Sequence, residues 1–259
     1  ELAAIRAAAA VILPQGCPRK LYETARMNCS RVFPNYDARF RYPGKIGQIR
    51  LFRETAVRHP RSLIFSDSAA LQRRCPDIPE SSPFGFPFVF KFDWGGEGET
   101  VFLIHSETDF KAALRRAFTY ERTGQKGFIL QEYIPTRRRS LRAVVIGRHY
   151  LSYWRVQRDP DIFQVNLARG ARIDKESAPE RQRAVLRDLE GFCEKTGINL
   201  AGFDFLISAD SPPGDRNFLE INYFFGRTGL GGPEAYYNIL TAEIDSWLKT
   251  HGLRVGKPG

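Results

Sequence analysis

Apolar positions along this chain follow two rhythms, one close to a helical turn and one of strict alternation, and these trade places several times. Ala10–Leu13 reads as a short strand. Ile46, Ile49, Phe52 and Ala56 recur at near-helical spacing, and His59-Pro60 closes that helix ahead of a strand at Leu63–Phe65. The stretch Ser68–Phe84, rich in Pro, Asp and Ser, predicts a long loop. Strands are predicted at Phe86–Phe92 and Val101–His105, on either side of the turn Asp93-Trp94-Gly95-Gly96-Glu97-Gly98. Thr108 is placed to cap a helix on which Phe110, Ala113, Leu114, Ala117 and Phe118 form one stripe.

Gly127–Gln131 reads as a strand running into Glu132-Tyr133-Ile134 and closed by Pro135, and Leu141–Ile146 with His149–Gln157 as a hairpin about Gly147-Arg148. A helix over Glu180–Thr196 carries Val185, Leu189, Phe192 and Cys193 on one face and ends at Gly197. Ala201–Ile207 and Asn217–Asn222 are strands joined by a turn-rich segment from Asp210 to Asp215. A last helix starts at Pro233 and buries Tyr236, Ile239, Leu240 and Trp247. Hairpins beside helices predict a mixed α/β fold (α+β mixed sheets) and argue against a purely parallel doubly wound sheet.

Composition narrows this further. With 259 residues, 42% hydrophobic and 26% charged, the chain is globular, and disordered or collagen-like readings fail. No uncharged apolar run reaches the roughly 18 residues that span a bilayer. The Ala-rich start, Leu2 to Leu13, carries Arg6 and lacks a basic opening, so it is not read as an export signal. Glu1 in first place and Met27 as the only methionine suggest a fragment. Cys17, Cys29, Cys75 and Cys193 have no CxxC spacing and His59, His105, His149 and His251 are scattered, which predicts reduced thiols and a cytoplasmic setting.

The net charge of +10 is unevenly spread. Residues 1–62 hold twelve basic against four acidic residues, and 137–187 hold thirteen against five. Such blocks suit phosphates, acidic small molecules or nucleic acid, although a solvated basic surface accounts for them equally well.

Ionisable residues inside apolar strands carry more information. Lys91 sits within Phe88-Val89-Phe90-Lys91-Phe92, Asp204 within Phe203-Asp204-Phe205-Leu206, and Glu220 and Asn222 share one face of Leu219-Glu220-Ile221-Asn222. An unpaired buried charge costs several kcal/mol, so each of these is expected at a strand's open end or beside a partner. Asp204, Glu220 and Asn222 are hard oxygen donors of the kind Mg²⁺ takes, and Mg²⁺ with few protein ligands implies a phosphate-bearing partner. Lys91 would meet those phosphates as a point charge, with the Gly95-Gly96-Glu97-Gly98 loop beside them. That loop matches neither GxxxxGK[ST] nor GxGxxG, and a plain hairpin turn is its simpler reading.

In combination these residues resemble the ATP-grasp superfamily, in its RimK-like and glutathione-synthetase-like branch, from about Ala10 to Ile244. The resemblance implies an ATP-grasp fold with a truncated N-terminal domain over 1–42, a central subdomain over 43–134 ending in a hinge, and a C-terminal subdomain over 135–259 holding the metal site. Pro43-Gly44-Lys45 through Phe52 is similar to the family's entry segment, so Lys45 is expected on a nucleotide phosphate with Lys91 and the loop glycines Gly95, Gly96 and Gly98. Gln131, Glu132, Tyr133 and Ile134 match the hinge whose backbone reads adenine. Arg142 matches the strand arginine facing the reacting phosphate, Asn166 and Arg169 the family's Asn/Arg segment, and Asp204, Glu220 and Asn222 its metal ligands. Two departures stand out. Ser140 occupies a position, two before the strand arginine, that is usually acidic, and Tyr223-Phe224-Phe225-Gly226-Arg227-Thr228-Gly229 replaces a Ser-Pro-Gly pattern after Asn222.

What the resemblance implies is an ADP-forming ligase joining a carboxylate to an amine through an acylphosphate, with ATP and Mg²⁺ or Mn²⁺ as cofactors. Expected partners are small-molecule or peptide substrates of acidic character, drawn by Arg137-Arg138-Arg139, and a second copy of the chain, with no membrane and no nucleic acid. The alternatives are a nucleotide- or RNA-binding module without turnover and an ATP-grasp kinase.

Overall fold

In the computed structural model, which describes residues 2–75, 84–96, 98–208 and 215–253, two antiparallel sheets face each other. Ahead of them come α1 (Leu2–Ala7), β1 (Val11–Ile12), α2 (Arg19–Asn28), β2 (Val32–Phe33) and α3 (Asp37–Arg41), with β1 and β2 paired in parallel. The chain then runs through α4 (Gly44–Glu54), β3 (Ser62–Phe65), α5 (Ser68–Arg74), β4 (Phe88–Phe92), β5 (Val101–Ile104), α6 (Glu107–Glu121) and β6 (Phe128–Glu132). It continues with β7 (Arg139–Ile146), β8 (His149–Val156), β9 (Arg172–Asp174), α7 (Pro179–Thr196), β10 (Leu200–Ile207), β11 (Arg216–Asn222) and α8 (Pro233–Thr250). The smaller sheet has the order β3-β6-β4-β5 and the larger β11-β10-β7-β8-β9.

Alternation along the strands sends successive side chains to opposite faces, and the two faces of each sheet have different jobs. On β7 and β10, Leu141, Ala143, Val145, Ala201, Phe203 and Phe205 enter a core shared with Val185, Leu189 and Phe192 of α7 and Leu51 and Phe52 of α4. The opposite parity divides along its length. Val144, Ile146 and Leu200 are buried with Tyr236 of α8, whereas Ser140, Arg142 and Asp204 look into a cleft. In the smaller sheet Phe88, Phe90, Phe92, Phe128 and Leu130 pack with Phe110, Ala113 and Ala117 of α6, and Val89 and Lys91 turn toward the same cleft.

Most strands and the three long helices lie within a residue or two of their predicted positions. Three expectations need correction. Ser68–Phe84 is not all loop: Asp67 caps α5, its carboxylate accepting from the Ala70 N–H at 2.7 Å, which a polar stretch without a strong apolar stripe hides. The cap of α6 is Ser106, accepting from the Asp109 N–H at 3.2 Å, and Thr108 lies inside the first turn. Phe118, assigned to the buried stripe, is 60% exposed because the stripe at Phe110, Ala113 and Ala117 already fills the space over the sheet. Residues 76–83, Glu97 and the 210–214 turn lie outside the described residues.

Candidate active site

Strand register assembles the site. Glu220 pairs across with Asp204, Asp204 with Arg142, and Arg142 with Tyr153, so four adjacent strands contribute one continuous row to one face of the larger sheet. Ser140 faces Arg155 across the β7–β8 ladder, two positions along. Gly202 leaves the space the row needs, since a Cβ there would lie 2.5 Å from Arg142 Nη1. The row forms the floor of a cleft of about 660 Å³, with Val89, Lys91, Val101, Leu103 and Gln131 of the smaller sheet above it.

Charges in this floor are tightly engaged. Asp204 is 6% exposed. Its Oδ1 lies 2.8 Å from Arg142 Nε and accepts from Arg155 Nη2, and its Oδ2 accepts from Arg142 Nη2 and Asn222 Nδ2 at 3.3 Å each. Burial pushes this carboxyl up, but the two guanidiniums and the hydrogen bonds from Arg155 and Asn222 outweigh it and hold the group below its usual range. Glu220 has no hydrogen-bond or ion-pair partner among the described residues. Lys91 is buried and without an ion pair among the described residues. Desolvation lowers its ammonium to about 8, Glu220 and Asp204 pulling it up and Lys45 pushing it down.

The donor set tests what the floor can hold. Among the described residues no group of three or more His, Cys, Asp or Glu side chains gathers anywhere, so a cation here would rely on an amide and on oxygens from outside the protein. Glu220 is open and Asn222 offers its amide oxygen, a set that fits Mg²⁺. Asp204 is not open, because arginine and amide donors already crowd both of its oxygens.

Other predicted residues take varied places. Gly96, Gly98, Gln131, Glu132, Tyr133, Ile134 and Asn166 line the cleft with Lys91 and Arg142, whereas Gly95, Lys45 and Arg169 do not. Lys45 Nζ donates instead to the carbonyls of Trp94 at 3.2 Å and Gly95 at 2.9 Å, anchoring the glycine loop. The Glu132 carboxylate accepts from the Arg61 N–H and Nε at 2.7 and 2.6 Å, and Gln131 donates to Ser62 Oγ at 2.9 Å. Both side chains are therefore structural, but the backbone groups of Tyr133 and Ile134, beyond the last ladder bond, have no partner among the described residues. Asn166 accepts from the Arg169 N–H at 2.8 Å, capping a turn whose Arg169 is exposed. Of Arg137-Arg138-Arg139, only Arg138 lines the cleft; Arg139 pairs with Asp174 at 3.0 Å and lies over the Trp154 ring.

Sequence reasoning missed Tyr153 and Arg155, neighbours on one face of β8. Alternation along His149–Val156 was the available signal, and mixed residue types on both faces blurred it.

Comparison places this arrangement. The fold is ATP-grasp, shared with a RimK domain ATP-grasp protein from Sphaerobacter thermophilus (15% identity over 86% of this chain and 75% of that one, TM-score 0.63). It is shared too with the VanG D-Ala:D-Ser ligase from Enterococcus faecalis (14%, 90% and 69%, TM-score 0.67). D-alanyl-alanine synthetase A from Vibrio cholerae is similar as well (11%, 87% and 72%, TM-score 0.62). A sequence model of the RimK-like ATP-grasp domain matches residues 44–232, and the chain belongs to that family. No curated protein matches it. No described helix is long and apolar enough to cross a membrane.

Proposed function

We propose that this chain is an ATP-dependent ligase that activates a carboxylate as an acylphosphate and transfers the acyl group to an amine, forming an amide or peptide-like bond. The observation that carries the reading is the cleft itself: an open carboxylate, Glu220, and an unpaired ammonium, Lys91, brought together over a floor of arginines whose N–H groups are not all satisfied. Structural neighbours named as ligases and a synthetase support it.

In this reading the backbone of Tyr133 and Ile134 pairs with the adenine edge, and Tyr133 and Phe163, with ring centroids 6.0 Å apart, border the base. Lys91 holds phosphate, and Gly96 and Gly98 place backbone N–H groups nearby. Glu220 and Asn222 would hold Mg²⁺, which when bound screens the charge of the β- and γ-phosphate oxygens. Asp204 joins them only where a guanidinium gives way. Arg142 faces the transferred phosphoryl group; Asn166 shapes the loop above it, and Arg169 acts from the rim. Lys45 positions the glycine loop. We propose the division 1–42, 43–134 and 135–259 with α4 bridging the last two, since it enters the larger sheet's core.

Thermal unfolding with and without Mg-ADP tests the nucleotide site. A ligand that binds only the folded state raises Tm by mass action. The expected result is a metal-dependent rise that shrinks in Glu220→Gln; no rise at millimolar Mg-ADP overturns the reading. ADP release over a panel of carboxylates and amines then tests the ligation.

A further inference from the structure

The smaller sheet ends at β5, and its register shows which backbone groups of that strand face outward. The Phe92 N–H bonds to the Thr100 carbonyl at 3.0 Å, so Thr100, Phe102 and Ile104 turn their amide groups toward β4. Val101, Leu103 and His105 therefore turn theirs to the open edge. Both ends of this edge are tied off. The Val101 carbonyl accepts from Gln164 Nε2 at 3.3 Å, and the His105 N–H donates to the Asp109 carboxylate at 3.1 Å. Between them the N–H and carbonyl of Leu103 have no partner among the described residues. Gln164 is informative here, because its side-chain amide takes the place that a partner strand's N–H would occupy.

On the side of the sheet away from the cleft, a groove of about 520 Å³ runs beside the same edge. Phe92 and Phe102 floor it, and α6 walls it with Ala112, Arg116 and Tyr120. Arg115 and Arg116 line it too, exposed and without an ion pair among the described residues, and Arg116 lies 5.0 Å over the Phe102 ring. Among the described residues Glu99 is the one acidic group lining the groove. A strand laid along β5 sends alternate side chains to opposite faces. Those opposite Phe102 lie over the groove, and those opposite Val101 and Leu103 point toward the cleft. Two arginines against one carboxylate favour acidic side chains over the groove. The same arginines disfavour a second copy of this chain, since two-fold pairing about Leu103 sets α6 beside its own like charges.

We propose that the open edge of β5, with the groove beside it, docks an extended acidic peptide by strand addition, its carboxylates over Arg115 and Arg116 and its alternate side chains toward the cleft. This rests on the ligase reading for the use made of the peptide, as the docked part of a peptide substrate, and not for the docking itself.

The probe is a short, labelled peptide of alternating Glu and Thr, blocked at both ends and titrated against the full chain by fluorescence anisotropy with and without Mg-ADP. Saturable binding is expected, and the Lys/Thr counterpart should bind at least about tenfold more weakly. N-methylation separates the edge from the groove. The threonine N–H groups face β5 when glutamate lies over the groove, so methylating them should abolish binding, whereas methylating the outward glutamate N–H groups should leave it. Combining Arg115→Glu with Arg116→Glu should weaken the Glu/Thr peptide about tenfold and leave the Mg-ADP thermal shift in place. No binding overturns the proposal, as do equal binding of the two methylated peptides and equal binding of the Glu and Lys forms. Sedimentation showing a dimer that the double variant dissociates, with no peptide bound, assigns the edge to a second copy and overturns it as well. Peptide binding without any Mg-ADP response keeps the docking and overturns the nucleotide reading.

Discussion

The two faces that meet across the cleft are built on opposite plans. The roof, from β4, β5 and β6, sets Val89, Val101 and Leu103 beside Gln131 and Glu132, which are bonded to Ser62 and Arg61, and Lys91, which has no ion pair among the described residues. The floor, from β7, β8, β10 and β11, carries Ser140, Arg142, Arg155, Asp204, Glu220 and Asn222, most of them bonded to one another. A roof of this kind suits a flat apolar ring, and in the proposed reading its one desolvated ammonium meets phosphate. A floor of this kind is held in shape by its own ion pairs, and its open groups are those left for a ligand. The difference teaches that burial of charge has two meanings here: in the roof an isolated charge waits for an external partner, and in the floor charges orient each other.

Substitutions can break this contrast. Phe90→Ala removes a ring stacked on Phe128 at 4.9 Å and should cost about 3–5 kcal/mol in denaturant unfolding, a packing loss independent of salt. Asp204→Ala strands two buried guanidiniums and should cost about 3–4 kcal/mol, partly recovered in high salt, where anions enter. Should the two behave alike in salt, the floor is held by packing and the contrast fails. Glu220→Gln, which breaks no existing bond, should leave stability within about 0.5 kcal/mol and reduce ADP-forming turnover by at least about 10²-fold. Lys91→Met relieves an unpaired buried ammonium and should stabilise the ligand-free protein by about 2 kcal/mol at pH 7 while weakening Mg-ADP binding.

The pH dependence should be the gentlest effect. With its folded-state value lowered to about 8, Lys91 loses its charge as pH rises through 8, whereas in the unfolded chain it keeps its proton to about 10.5. The unfolded state therefore binds more protons between these limits, and this group's contribution to stability rises with pH across that window. Nucleotide affinity should move the other way, falling above pH 8. Binding near pH 8.5 should take up a proton, visible as buffer-dependent heat in calorimetry; heat independent of the buffer would place the phosphates elsewhere.

How far the sequence could be read followed the same contrast. Lys91, Asp204, Glu220 and Asn222 were legible because a charge inside an aromatic or aliphatic strand stands out, and alternation put Glu220 and Asn222 on one face. Ser140 was legible only as a departure from a family pattern. Its orphaned hydroxyl depends on β8 lying alongside, a fact of register. Gln131 and Glu132 line the cleft and Lys45 does not, and the bonds of all three to Ser62, Arg61 and the loop carbonyls come from segments far away in the chain. The short helices α1 and α3 escaped because pieces of five or six residues have too few turns to show a stripe, whereas α2, which buries Tyr22 and Ala25 on one face, was simply passed over.

Helix α4 has a mechanical consequence. At its start the Asp93 carboxylate accepts from the Ile46 N–H at 2.7 Å and Lys45 grips the glycine loop; Gly44 is glycine because a side chain would overlap Asp93. Two residues further, Gln48 Nε2 donates to the Ile221 carbonyl at 2.9 Å and its Oε1 accepts from the Ile221 N–H at 2.8 Å, between Glu220 and Asn222. Less than one turn of helix thus acts as a strut between the loop over the cleft and the strand beneath it. Any tilt of the roof must break the Asp93 bond or pull on β11 through Gln48, so movement above reaches the Glu220 carboxylate without a ligand to carry it.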